Sequence, residues 1–281
     1  LHLFTSCLCA FAPLCLSAQP LSSDREGEIF ARNVEHIVAV ANICAWPSIV
    51  RDNRGVVYAA VHNQPSHGQM VGDVDVYASD DSGKTWKYRG TPSPHGEDNI
   101  RMNHAFGIVF DGSLVVLCSG WGGRDFREFI LPTMVSRSGD GGVTWDRSGS
   151  VRLSPGMRDL IPFGSIIRTG PSTLAAAFYD AFSTPGKNTV FLLSSADDGF
   201  TWTDPAPITE TFNGMTEVCN INETALVTVG RNRIVAAART FTPNAKLSLF
   251  LSSDRGRTWA TPERYLGSGI TGPSEHPGSL I

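Results

Sequence analysis

The sequence predicts an all-β fold built from repeated four-stranded sheets, and three observations carry that prediction. The first is an octapeptide written four times: SDDSGKTW (Ser79–Trp86), SGDGGVTW (Ser138–Trp145), SADDGFTW (Ser195–Trp202) and SSDRGRTW (Ser252–Trp259). The second is its spacing, about 57 to 59 residues from one tryptophan to the next, a period in the range that marks repeat architectures. The third is the text between the copies: short apolar and β-branched runs bounded by Gly, Pro, Asn and Asp, the pattern of sheet strands. Nearly apolar strands, four to a repeat, fit blades stacked radially in a β-propeller. A β-helix has coils shorter than this period, and no stretch favours a long helix.

The octapeptide reads as a hairpin turn. Its Asp can accept hydrogen bonds from backbone N–H groups ahead of it, and its Gly supplies a positive φ that a Cβ would oppose. Thr opens the outgoing strand, and Trp covers the turn with a large apolar face. These aspartates are scaffold residues.

The strands follow in order. The first repeat reads WPSIV (Trp46–Val50) and VVYAAVHN (Val56–Asn63); the second HAFGIVF (His104–Phe110), a turn at Asp111 and Gly112, and SLVVLCSGW (Ser113–Trp121). The third reads PFGSII (Pro162–Ile167) and TLAAAFYD (Thr173–Asp180); the fourth NETALVTV (Asn222–Val229) and RIVAAART (Arg233–Thr240). A fifth opens at HPGSLI (His276–Ile281), where the sequence stops, so the last blade is expected to be incomplete. The propeller is therefore placed at residues 37–281, after a polar leader at 19–36.

Residues 1–18 carry no Lys, Arg, Asp or Glu and are mostly apolar. They fit the apolar region and small-residue end of a secretory signal, with Ala18 as the cleavage point, although an initiator Met and basic segment are missing. A secreted, periplasmic or extracellular protein is expected. Cys7, Cys9 and Cys15 would leave with that segment, and Cys44, Cys118 and Cys219 have no metal-ligand spacing. Cys118 reads as a buried thiol; a bridge between Cys44 and Cys219 is conceivable. A net charge of −4 gives no electrostatic case for nucleic acid or an anionic membrane, and no internal apolar run is long enough to span a bilayer. No cofactor or metal site is indicated, and oligomeric state is not legible.

In a propeller the starts of the inner strands and the ends of their neighbours converge on the axis. The starts offer Trp46, Asn103 with His104, Pro162, Glu223, and Glu275 with His276. The ends offer His62 with Asn63, Ser119 to Trp121, Tyr179 with Asp180, and Arg239. The repeats agree in their apolar interiors and differ at these edges, as a pocket for a polar ligand requires.

At these residues the chain resembles the sialidase (neuraminidase) superfamily. The octapeptides look like its Asp boxes (BNR repeats), and Asn222–Arg239 is similar to the segment in which a Glu opens one strand and an Arg closes the next. Asp boxes also occur in non-catalytic binding propellers, so the Glu-to-Arg segment is the more discriminating feature. The resemblance implies a six-bladed propeller and retaining hydrolysis of a terminal sialoside, with a Tyr nucleophile in place of the usual carboxylate. It further implies a Glu base, an Asp acid/base and three Arg clamping the sugar carboxylate by charge-assisted forked hydrogen bonds.

Carried over by position, the resemblance makes Glu223 the base and Arg239 one clamp. Trp46 stands where the first clamp Arg belongs and can stack on a sugar ring instead. Residues 64–72 hold no carboxylate, so Asp73 takes the acid/base place, with His67 as substitute. The third Arg and the Tyr would fall beyond Ile281. Tyr179, Asp180, His104 and Trp121 would line the pocket. Each has a plainer reading: Glu223 with Arg239 as a structural ion pair, Asp73 as a solvated strand-edge charge, and the rest as packing. The functional expectation is an exo-acting hydrolase releasing terminal sialic acid or a related sugar from a glycoconjugate. The alternative is a non-catalytic propeller binding glycan or protein.

Overall fold

A computed structural model describes residues 37–43, 46–123, 128–184, 187–212, 215–218, 220–240, 248–260 and 263–264. The expected signal and leader, the conceivable Cys44–Cys219 bridge and the fifth repeat lie outside the described residues. The first repeat comprises β1 (Ser48–Arg51), β2 (Val57–His62), β3 (Val74–Ser79) and β4 (Lys87–Ser93). The second holds β5 (Asn99–Ile108), β6 (Leu114–Gly122), β7 (Phe129–Ile130), β8 (Met134–Ser138) and β9 (Ser150–Val151). The third holds β10 (Ile161–Arg168), β11 (Leu174–Thr184), β12 (Lys187–Ser195) and β13 (Thr201–Pro207), followed by the pair β14 (Thr209–Phe212) and β15 (Met215–Val218). The fourth holds β16 (Ile221–Val229), β17 (Arg233–Thr240), β18 (Ser248–Ser252) and β19 (Glu263–Arg264).

The first and fourth repeats are antiparallel four-stranded meanders. The second and third join into one nine-stranded sheet, because the inner strands β5 and β10 pair in parallel at Ala105 with Gly164 and Phe106 with Ser165. This is the expected all-β, propeller-like arrangement. Among the described residues no helix is long and apolar enough to cross a membrane.

Each octapeptide is knotted by the same serine, aspartate, glycine and threonine bonds. In the first, Ser79 Oγ donates to Asp81 Oδ1 at 2.7 Å, Thr85 N to the same oxygen at 2.9 Å, and Thr85 Oγ1 to Oδ2 at 2.7 Å. Gly83 N donates to Ser79 Oγ, and Trp86 Nε1 to the Gly83 carbonyl. The set recurs around Asp140 and Asp197, and around Asp254 with the same serine, glycine and threonine contacts. The glycine φ values are 89°, 91°, 90° and 88°, so a Cβ would oppose the turn. The Thr85 amide, Thr85 hydroxyl and Ser79 hydroxyl hold the Asp81 carboxyl far below its ordinary range, and the Thr258 hydroxyl brings Asp254 down to about 2. These aspartates are occupied by the turn, as expected.

The same turns bind neighbouring repeats. Asp198, beside the third knot, accepts from Phe110 N at 2.7 Å, and Arg89 Nε donates to the Gly141 carbonyl at 2.9 Å. Apolar packing supplies the bulk: Trp202 is fully buried in a cluster with Val115, Leu117, Phe178 and Leu193. Cys118 is a buried free thiol, as the sequence suggested, and burial pushes it up to about 11.

The inner strands share an irregularity. Register shifts fall between Arg101 and His104 in β5, between Phe163 and Ile167 in β10, and between Ile221 and Thr224 in β16. A bulge of this kind bends the strand and re-aims a side chain. The β16 shift lies at the strand start and the β5 shift beside Asn103 and His104, both marked by the sequence as rim, whereas the β10 shift lies inside the strand.

The tryptophans of the turns are unequal in burial, so truncation separates them. Trp202→Ala is expected to cost about 3–5 kcal/mol in urea unfolding, the usual range for a buried Trp. Trp86→Ala, at a half-buried site, is expected to cost less than half as much.

Candidate active site

The bulge in β16 carries Glu223, and the end of β17 carries Arg239. Arg239 Nη1 lies 3.3 Å from Glu223 Oε2, with side-chain exposures of 23% and 10%. A partly buried pair keeps more of its Coulomb attraction than one in bulk water. The contact joins one carboxylate oxygen to one guanidinium nitrogen. The two residues are thus in direct contact, as the plainer ion-pair reading of them expects.

The neighbouring repeats bring their own rim residues to the same end of the sheets. Tyr179 and Asp180, near the end of the regular part of β11, are both buried. Asn103, in the β5 bulge, donates through Nδ2 to the Tyr179 hydroxyl at 3.5 Å. Trp121, near the end of β6, is buried and pairs with Ile100 and Ile130. Trp121 and Tyr179 share one apolar cluster with Met102, Ile161 and Ile221, and Trp46 packs against it. That cluster floors the rim from the first repeat to the fourth. An ideal Cβ on Gly164 would stand 3.3 Å from the Thr224 carbonyl oxygen, which puts the starts of β10 and β16 side by side.

Trp46 is half-buried, its ring centroid 4.6 Å from His67 and 6.1 Å from His62. His67, the substitute acid, therefore packs at a 47° tilt against the residue that stands in the clamp arginine's place. His104 belongs to the interior: Nδ1 lies 2.9 Å from the Met102 carbonyl oxygen and Nε2 3.1 Å from that of Ala60. Burial pushes its pKa down to about 4 against the pull of those carbonyls. It ties β5 to β2, which is the packing reading of this residue.

Asp73 stands at the threshold of β3, and its Oδ1 accepts from both the ring Nδ1 and the backbone N of His95, each at 2.6 Å. Asn63 brackets it, accepting from Asp73 N at 3.0 Å and donating toward Oδ2 at 3.4 Å. Next to it, Asp75 takes Thr91 Oγ1 at 2.6 Å and Asn63 Nδ2 at 3.0 Å, while burial raises its pKa. Sequence reasoning missed His95 and Asp75. His95 lies in a loop of no recognisable motif, and alternation along β3 was the one available signal for Asp75. Among the described residues no group of three His, Cys, Asp or Glu is arranged to hold a metal ion.

The model of the BNR repeat-like domain matches residues 35–268. The chain belongs to the BNR repeat-like domain family. Among solved structures, this BNR repeat-like chain is similar to a protein of Dyadobacter fermentans DSM 18053 whose function is unknown, at 19% identity and TM-score 0.63, over 78% of this chain and 68% of that one. It is similar to the NanB sialidase from Streptococcus pneumoniae at 14% identity and TM-score 0.64, over 83% of this chain and 54% of the sialidase. An α-L-arabinanase of Penicillium chrysogenum aligns at 17% identity and TM-score 0.57, over 82% of this chain and 69% of that enzyme. The BNR repeat-like chain thus spans about half the length of the sialidase, and at these identities the likeness is one of fold. No curated protein sequence matches it.

Burial of the His104 ring gives a pH test of stability. A folded pKa of about 4 against an ordinary 6.5 means that the unfolded chain binds the proton more tightly. Stability is then greatest above pH 6.5 and declines toward pH 4. His62, also lowered by burial, works in the same direction. Unfolding free energies from urea titrations at pH 7 and 4.5 should differ by about 2 kcal/mol for the His104 contribution, and His104→Gln should flatten the dependence.

Proposed function

We propose that this protein is an exported, exo-acting glycoside hydrolase of the sialidase-like kind, which removes a terminal sugar, sialic acid or a relative of it, from a glycoconjugate. The observation that carries the reading is the Glu223–Arg239 contact at 3.3 Å, set at a strand bulge whose neighbours Ile221 and Ala238 share one apolar cluster with Trp121 and Tyr179. A carboxylate held against one guanidinium nitrogen is oriented to accept a proton from a nucleophile. A guanidinium is a donor suited to an oxygen-rich ligand. Trp46 supplies a face on which a sugar ring can stack, and Asp73 brings a second carboxylate to the same end of the sheets. The Streptococcus pneumoniae neighbour is a sialidase and the Penicillium chrysogenum neighbour an arabinanase, which supports glycoside hydrolysis without selecting the sugar.

The second reading, a non-catalytic propeller that binds glycan or protein, draws on Trp46 in the place of a clamp arginine. A hydrogen bond to a charged group contributes about 1.5–3 kcal/mol, which Trp46 cannot supply to a sugar carboxylate.

The test is release of 4-methylumbelliferone from its N-acetylneuraminide and its α-L-arabinofuranoside. Turnover of at least one is expected, and Glu223→Gln should lower kcat/KM by about a hundredfold or more, the usual contribution of a general base. Loss of thermal stability with unchanged turnover would make the pair structural. Binding on a glycan array without turnover of any bound sugar would favour the second reading.

A further inference from the structure

Asp73 takes the acid/base position by resemblance, yet its carboxylate is already engaged on both oxygens. Oδ1 accepts the His95 amide and ring Nδ1, each at 2.6 Å, and Oδ2 faces Asn63 Nδ2 at 3.4 Å. A carboxylate only accepts, so the proton between the two side chains belongs to Nδ1 of His95. That fixes the ring's orientation and leaves Nε2 as the nitrogen that exchanges protons. The His95 side chain is 41% exposed and that of Asp73 22%, so the ring is the more accessible member of the pair. The arrangement repeats the logic of an aspartate that orients a histidine and balances its charge.

The dyad is also anchored to the neighbouring repeat. Gly72, next to Asp73, bridges to Ile100, and Arg101 N donates to the Gly72 carbonyl at 3.0 Å. This sews the dyad to the start of β5. The same strand pairs with β10, and Gly164 of β10 abuts Thr224, the residue after Glu223.

We propose that His95 is the proton donor to the departing aglycone, with Asp73 as its positioning residue. The inference rests on the glycoside hydrolase reading. Imidazolium Nε2–H gives its proton to the glycosidic oxygen as the bond from that oxygen to the anomeric carbon breaks, the bonding pair leaving with the oxygen. The aglycone departs as a neutral alcohol. Water then adds to the anomeric carbon, and its released proton returns to Nε2. The net change is one carbon–oxygen bond broken, one formed and one water consumed. No redox partner is needed.

The decisive readout is dependence on the leaving group, because a good leaving group departs without acid help. Glycosides of N-acetylneuraminic acid and L-arabinofuranose would be compared as their 2,4-dinitrophenyl and methyl derivatives. For whichever sugar the wild-type chain hydrolyses, His95→Gln should lower kcat/KM on the methyl glycoside by about 10²–10⁴-fold. On the dinitrophenyl glycoside the loss should stay under about tenfold. Asp73→Asn should show the same split to a smaller degree, and His95→Ala checks the result if the Gln variant misfolds. Equal losses on both leaving groups, or no loss, in a variant with wild-type melting would overturn the dyad while leaving glycoside hydrolysis standing. Hydrolysis of neither sugar by the wild-type chain would overturn the inference together with the reading beneath it.

Discussion

The rest of this molecule depends on the carboxylate at the heart of each octapeptide. One aspartate accepts a serine hydroxyl, a threonine hydroxyl and a threonine amide, and so closes a turn whose glycine sits near φ 90°. Four hydrogen-bonded knots at a constant period make the turn at one end of every sheet nearly independent of the rest of the sequence. The opposite end is free of the turn's sequence demand and can vary. Glu223, Asn103 and Tyr179 all lie at that free end. Division of labour along the strand is what allows a repeat to hold a site that does not repeat.

Periodic features were legible for a physical reason: a turn that needs Ser, Asp, Gly and Thr at set positions must spell them each time. The Glu223–Arg239 contact was legible too, since a strand start and its neighbour's end meet in any antiparallel pair. The bulges were not. A one-residue slip between Ile221 and Thr224 leaves no compositional trace, yet it decides which side chain reaches the rim. His104 shows the same limit from the other side. Its position at the β5 start looked like a pocket wall, and the bulge turned it onto the Met102 and Ala60 carbonyls.

His95 was hidden for a different reason. Its partner is separated from it by all of β3 and β4, and the turn between those strands folds them back upon each other. The first Asp-box knot therefore brings Asp73 and His95 together, although neither belongs to it. A structural turn at one end sets a polar contact at the other.

Charge at the rim follows from the same economy. Arg239 is held by Glu223 and His95 by Asp73. Arg101 spends one nitrogen on the Cys118 and Pro132 carbonyls. A ligand carboxylate would thus have to share Arg239 and His95 with the acceptors they already hold, whereas Arg101 Nε is buried without a partner among the described residues. Sharing is costly where water is excluded, because the displaced acceptor keeps its desolvation penalty. A sugar hydroxyl meets no such competition, since it can donate to a carboxylate and accept from a guanidinium in one contact. The pairing that holds Glu223 and Asp73 in place therefore also bears on which sugar the rim can hold.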